Sequence, residues 1–484
     1  MANTTTSTVA FSILSPDASL SYDRIKLRLE EYRTLLASDS DTIELPTENG
    51  KTVLCRKQAN EMEDYLDEAE ELLRDIVQSR DISTLVVLHN LRDLTKVLDN
   101  LKLYDECRLT GNCALDLAEA LGRRSLEFRH EQADTLALVA GLSVYQPRAR
   151  TLFTHAVSIC EEVVENNASH SNKHKLLIVL DRAGYWAHDH FLALSAQWLE
   201  RAIQLMTKEL PPTMVHPHSR SITYHNYGHS LRRLKQYSNA LEAFHKAVSI
   251  RRTLVDNDPA THIPYFAEAL MSMGVTHNVI GKHDDATVAY KEVLEICTTM
   301  STQDPLRYNE LRAKTLLNYG ATLQDLNQVS ESAVVKKQAV SLFRNLAQTG
   351  NECTNLLCDA LHNYGISCAL LGQHAEVVLA FQESIPVLRA LVATDPEEEF
   401  YLIVALHNIA NSFRALDKYA EANTAATEFL ERNHGRVLEN CRYAPDFSAC
   451  FVCQRGIIPD SLQNTSAPHP VTRAIFSLWR AGAS

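Results

Sequence analysis

The chain has 484 residues, 45% of them hydrophobic and 22% charged, with a net charge of −13. That balance disfavours nonspecific binding to nucleic acid or to anionic membrane surfaces, which calls for excess Lys and Arg. No run of 18 apolar residues exists to cross a bilayer, and Met1-Ala2-Asn3-Thr4 lacks the basic start of a signal peptide.

Residues 1–20 are rich in Ser and Thr and are expected to be disordered. Residues 21–80 hold two helical patterns, over 22–37 and 56–79, with a polar stretch at 38–50 between them. The second pattern sets Glu61, Glu63, Asp64, Asp67, Glu68, Glu70 and Glu71 around Met62, Leu66, Leu72 and Leu73. It reads as a cap, because the end of a stacked array needs a polar outer face. Gly50-Lys51-Thr52 is a fragment of a phosphate loop, but Leu45 stands where that motif needs its first glycine. A loop is predicted there, without a nucleotide.

From residue 81 to 434 the chain repeats. Gly228, Gly274, Gly320, Gly365 and Ala410 are spaced 46, 46, 45 and 45. The residues before them repeat too, as in His225-Asn226-Tyr227, Leu317-Asn318-Tyr319, His362-Asn363-Tyr364 and His407-Asn408-Ile409. Twelve positions after the marker stand Ala240, Ala286, Ser332, Val377 and Ala422, and seven further on Ala247, Val293, Ala339, Ser384 and Phe429. Between these lie Phe244, Tyr290 and Phe381, from which Lys336 and Ala426 depart. Small residues at fixed points let two helices approach, and a large one fills the gap between them.

Short breaks such as Gly281-Lys282-His283 divide each unit into two helices, and Asp258-Pro259, Asp304-Pro305 and Asp395-Pro396 stop the helix that precedes them. Walking backwards places weaker markers at Thr95, Ala137 and Ala183. The expected fold is all-α, a right-handed solenoid of about eight antiparallel helix pairs. The marker glycines should lie mid-way along first helices, against their own unit's second helix near Ala240, Ala286, Ser332 and Val377. Residues 435–484 lose the period. Cys441, Cys450 and Cys453, near His434 and His469, include a single Cys-x-x-Cys, too few ligands for a structural zinc, so no metal or cofactor is expected. The eleven cysteines, an odd number spread over apolar patterns, suit a reducing compartment. A cytoplasmic protein is expected.

Asn-Tyr-Gly, Ala240, Phe244 and Ala247 together resemble the tetratricopeptide repeat, and the long interval resembles the extended-helix form of kinesin light chains and fungal arrays. The resemblance is strong over 221–431 and weak before 210. It implies that first helices line a concave groove for an extended or helical protein segment. In that groove Asn226, Asn318, Asn363 and Asn408, with Ser272 filling the gap, would offer donor and acceptor to a peptide main chain. The other reading is that these amides bond to neighbouring helices and hold the repeats in register.

His225, His229, Arg232, Arg233, His277, Lys314, His362, His407 and Arg414 lie on the same helices. If they share the groove it is locally basic and favours an acidic or phosphorylated segment; the alternative is an ordinary solvated face. Histidines stand where a carboxylate clamp wants lysines. No Ser-His-Asp or Cys-His arrangement can be argued from spacing, so no enzyme is expected. The function read from the sequence is a protein-interaction scaffold. The alternatives are a sensor module of a larger signalling assembly, resembling the repeat arrays of nucleotide-switching receptors, and an enzyme with its site in the tail.

Overall fold

The computed structural model describes residues 18–36, 42–47, 50–78, 84–302, 304–348, 354–394 and 399–433. The chain divides into two compact units, residues 1–250 and 251–484.

The first unit opens with α1 (Ala18–Leu36), an antiparallel hairpin of β1 (Thr42–Thr47) and β2 (Gly50–Cys55), and α2 (Arg56–Gln78). The hairpin corrects the loop predicted at 38–50, and Gly50-Lys51-Thr52 starts its second strand. Ile25, Leu29, Tyr32 and Leu36 of α1 share a core with Leu66, Ala69, Leu73 and Ile76 of α2. Part of the acidic surface of α2 is neutralised, since Arg33 reaches Asp67 at 2.7 Å and Glu70 at 2.9 Å.

Helix pairs follow: α3 (Thr84–Asn100) with α4 (Tyr104–Arg124), α5 (Arg129–Ala140) with α6 (Gln146–Asn166), α7 (His170–Ala187) with α8 (Leu192–Gln204), and α9 (Pro217–Arg233) with α10 (Tyr237–Asn257). The second unit continues with α11 (Pro259–Val279) and α12 (His283–Met300), α13 (Pro305–Asp325) and α14 (Val329–Ala347), α15 (Thr354–Leu370) and α16 (His374–Thr394), and α17 (Glu399–Ala415) and α18 (Tyr419–Asn433). Eight pairs therefore stand among the described residues, matching the expectation.

The seam inside each pair is set by the marker. A Cβ on Gly228 would come within 2.8 Å of the Phe244 ring, on Gly274 within 2.8 Å of Tyr290, and on Gly365 within 2.8 Å of Phe381. The side chain that presses on the glycine is thus the large one sixteen residues on. The small residue twelve on meets the same turn from beside it. Ser332 Oγ donates to the Gly320 carbonyl at 2.7 Å, and one pair in the first unit repeats the bond from Ser195 Oγ to the Gly184 carbonyl at 2.7 Å. Both contacts bury the seam, with Ala240, Phe244, Ala286, Tyr290 and Phe381 at 0–1% exposure.

The turns of the last five pairs share a period of their own. Lys235, Gly281, Asn327, Gly372 and Asp417 all take positive φ, between 59° and 79°, and are spaced as the markers are. The Asp-Pro pairs act differently from expectation. Pro259 and Pro305 begin α11 and α13, where a missing N–H costs nothing, and Asp258 and Asp304 cap them by accepting from the N–H of Thr261 at 3.4 Å and of Arg307 at 3.2 Å. They start the next helix as much as they stop the last. Asp395-Pro396, residues 1–17 and the tail from His434 onward lie outside the described residues.

Two outcomes follow. Gly274→Ala is expected to cost about 1–3 kcal/mol through overpacking against Tyr290, lowering the urea midpoint while the helical signal is retained. Lys235→Gly is expected to raise stability by about 0.5–1 kcal/mol by relieving left-handed backbone, and Gly281→Ala to lower it by a similar amount, both read in thermal melts.

Candidate functional site

First helices are cross-linked to the first helices of neighbouring pairs. In the first unit Glu131 of α5 accepts from Arg92 of α3 at 3.1 Å, His130 of α5 meets Asn172 of α7 at 2.9 Å, and Thr223 of α9 donates to Asp181 of α7 at 2.9 Å. In the second unit Asn278 of α11 donates to Asp325 of α13 at 3.3 Å, and Ser367 of α15 donates to Gln324 of α13 at 3.2 Å. Second helices form a separate row in the second unit. There Arg252–Glu292, Lys337–Glu376, Arg344–Glu383 and Arg389–Glu428 pair at 2.6–3.1 Å across successive pairs.

The asparagine series falls on first helices two residues before the markers, and all four side chains are half-buried. Asn363 Nδ2 donates to the Asp359 carbonyl at 2.8 Å and Asn408 Nδ2 to the Val404 carbonyl at 2.9 Å, one turn back in their own helices. Each amide thereby spends one N–H and keeps its oxygen and a second N–H. Asn226 and Asn318 make no side-chain hydrogen bond among the described residues. Ser272 departs from the series: it is 5% exposed and donates to the Glu268 carbonyl at 2.9 Å, so it is packed between helices and not open to a ligand.

The basic residues also separate. His362 is 6% exposed and sits edge-on to Phe381 and Tyr401, and burial first, with Lys336 second, pulls its pKa down to about 4. His407 packs against Phe429, and burial lowers its pKa as well. Neither supplies the groove cation expected of it, since burial favours the neutral ring at both, and at His362 one residue's rotation from Asn363 turns the side chain inward. His225 and His229 stack edge-on at 4.6 Å and both lie against Phe244, with His188 5.7 Å from His229. Arg232 approaches His229 Nδ1 at 3.4 Å, and Arg233 donates to the His188 carbonyl at 2.5 Å. His277 is buried, Lys314 pairs with Glu310, and Arg414 is exposed. Among the described residues no cluster of His, Cys, Asp or Glu could hold a metal ion, and no helix is long and apolar enough to cross a membrane.

Two features were missed. Asp181 stands two before Ala183, at the asparagine offset of an earlier unit, and burial pushes its carboxyl up to about 7 against the hydrogen bond from Thr223. Applying the offset to the weaker markers would have found it. The other is Lys336, noted only as a break in the aromatic rule. It is 2% exposed, and its Nζ donates to Gln324 Oε1 and to Ser367 Oγ, both at 2.9 Å. Burial lowers its pKa to about 8, with Asp325 acting in the opposite sense.

The model of the tetratricopeptide repeat matches residues 222–254, which cover most of α9 and most of α10. The repeats are tetratricopeptide-like. Solved structures similar to the chain include a signal transduction ATPase with numerous domains carrying a tetratricopeptide repeat sensor, from Pyrococcus horikoshii. It is 12% identical with a TM-score of 0.46, covering 89% of this chain and 65% of that one. Aspartyl phosphate phosphatase F from Bacillus subtilis is 12% identical with a TM-score of 0.41, covering 90% and 96%. A putative kinesin light chain with nearly identical TPR-like repeats, from Podosopora anserina, is 16% identical with a TM-score of 0.35, covering 46% and 97%. No curated protein matches the sequence.

Lys336 provides a pH test. Its folded pKa lies below the ordinary lysine value, so between about pH 8 and 10 the unfolded chain binds more protons, and wild-type stability rises with pH. Lys336→Met is expected to exceed wild type by about 1–3 kcal/mol at pH 7. The gap should narrow on going to pH 10 in urea titrations; a gap that stays constant would mean that charge burial is not its source.

Proposed function

We propose that the chain is a non-catalytic protein-interaction scaffold that takes a segment of a partner protein along its first-helix face. The observation that carries this reading is the set of half-buried amides at one offset from the marker. Asn318 and Asn363, on α13 and α15, have bonding capacity to spare. An amide matches the C=O and N–H of a peptide unit, and repetition along the array lets several such pairs form in sequence. The second-helix row is already neutralised by its own ion pairs, which leaves the first-helix face as the place for polar recognition. The described cysteines Cys107, Cys160, Cys297, Cys358 and Cys368 are buried thiols, in keeping with a reducing compartment such as the cytoplasm.

Asn318→Ala combined with Asn363→Ala tests the reading. Each lost bond is worth about 0.5–1.5 kcal/mol net, so the pair should reduce recovery of partners in affinity capture with mass spectrometry by roughly tenfold. Unchanged recovery from the double variant, or loss of its helical signal, would make the amides structural.

A further inference from the structure

The pair α13–α14 contains a buried cation where the neighbouring pairs hold an aromatic ring. Lys336 occupies the position of Tyr290 and Phe381, packs with its Cγ at 2.7 Å from the Cβ that Gly320 lacks, and runs beneath the turn of α13 that bears Gln324. It ends between α13 and α15, on Gln324 Oε1 and Ser367 Oγ. Ser367 in turn lies 3.3 Å from the Asn363 carbonyl and 3.4 Å from Ser332 Oγ. The ammonium therefore sits between α13 and α15, the helices that bear Asn318 and Asn363.

The network fixes the direction of Gln324. Its oxygen accepts from both Lys336 Nζ and Ser367 Oγ, which commits the oxygen to the core and leaves the amide nitrogen outside that network, on a side chain that is only half-buried. Asp325 is the only carboxylate among the described residues that acts on Lys336, and it is exposed and turned to Asn278 at 3.3 Å. His362 and the Cys368 thiol, the other titratable groups beside Lys336, are both held neutral by burial. A positive charge in a dry site without a carboxylate in contact is costly and favours whatever anion can approach it.

Resting on the scaffold reading above, we infer that Gln324 Nε2, backed by Lys336, forms a subsite for the carboxylate of an acidic side chain in the bound segment. Charge complementarity names the occupant: a neutral carbonyl would satisfy Gln324 but leave the ammonium uncompensated, whereas a carboxylate satisfies both. Lys336 acts through Gln324, holding its oxygen inward and polarising its N–H outward.

Random twelve-residue peptides displayed on phage and selected on the full chain provide the probe. The expected result is one position enriched in Asp or Glu. In a synthetic copy of a selected peptide, Glu→Gln at that position should weaken binding to wild type roughly tenfold, and by no more than about threefold on Lys336→Met, the signature of direct coupling. Gln324→Glu, which offers Lys336 an internal carboxylate, should remove the acidic preference while the protein stays folded by circular dichroism. Absence of an acidic position, or effects of Glu→Gln that are equal on wild type and on both variants, overturns the subsite. If peptides are captured and Asn318→Ala with Asn363→Ala abolishes capture, that failure belongs to the subsite alone. If capture is indifferent to the asparagines, or no peptide is captured, the scaffold reading falls with it.

Discussion

Four consecutive helix pairs, α9–α10 to α15–α16, rest on one close approach, a marker glycine under a large side chain from the second helix. Phe244, Tyr290 and Phe381 each lie where a Cβ on Gly228, Gly274 or Gly365 would be, which brings two backbones nearer than alanine would allow. Glycine inside a helix costs about 0.5–1 kcal/mol relative to alanine, and the buried ring offsets this. Once that distance is set, the rest of the pair has little freedom. The turn must reverse within a few residues, which in the last five pairs places one residue in left-handed backbone, whether it is Gly281 and Gly372 or Lys235, Asn327 and Asp417. Where the residue over the glycine is Lys336, the seam keeps its geometry and takes a charge into it.

The seam was legible because packing of this kind needs particular residue types at fixed intervals, and intervals survive in a sequence. What was not legible was rotation. His362 stands one residue before Asn363, and one residue in a helix is about 100° of turn, enough to move a side chain from the half-open face to the inside. Spacing placed them on the right helix and said nothing of that difference. The hairpin at Thr42–Cys55 was passed over for another reason. Ile43, Leu45, Val53 and Leu54 around Asn49-Gly50 carry a hairpin signal, but Pro46 and the flanking polar residues read as a break. Pro46 is tolerated because a strand with a single partner has a side on which no N–H is needed.

The asparagine offset has a wider meaning with Asp181 included. A carboxylic acid that keeps its proton to about pH 7 offers one donor and one acceptor, as an amide does. Asp181 can therefore stand in an amide series without introducing a full charge. Its position on α7, with Thr223 of α9 fixing one oxygen, ties the offset to the same kind of cross-link that joins Gln324 to Ser367. Asp181 serves two purposes at once, one oxygen joining neighbouring first helices and the other remaining for whatever lies on the face, whereas Asn363 and Asn408 anchor one N–H in their own helices and leave the rest of the amide.

Lys336 and Lys337 show how strongly the fold decides what a charge can do. Lys337 is exposed, meets Glu376 at 3.1 Å on the next second helix and belongs to a row of paired charges. Exposed pairs of this kind are worth little singly, so the row is better understood as neutralising that surface than as holding it together. Lys336, one residue earlier, points into the seam and finds an amide and a hydroxyl but no carboxylate. Two adjacent lysines thus have opposite electrostatic situations, one compensated by its own chain and one not. A stretch of chain selected for stability alone would place an aromatic ring at Lys336, as the neighbouring units do. Keeping an ammonium there makes sense if the missing counter-charge arrives from outside.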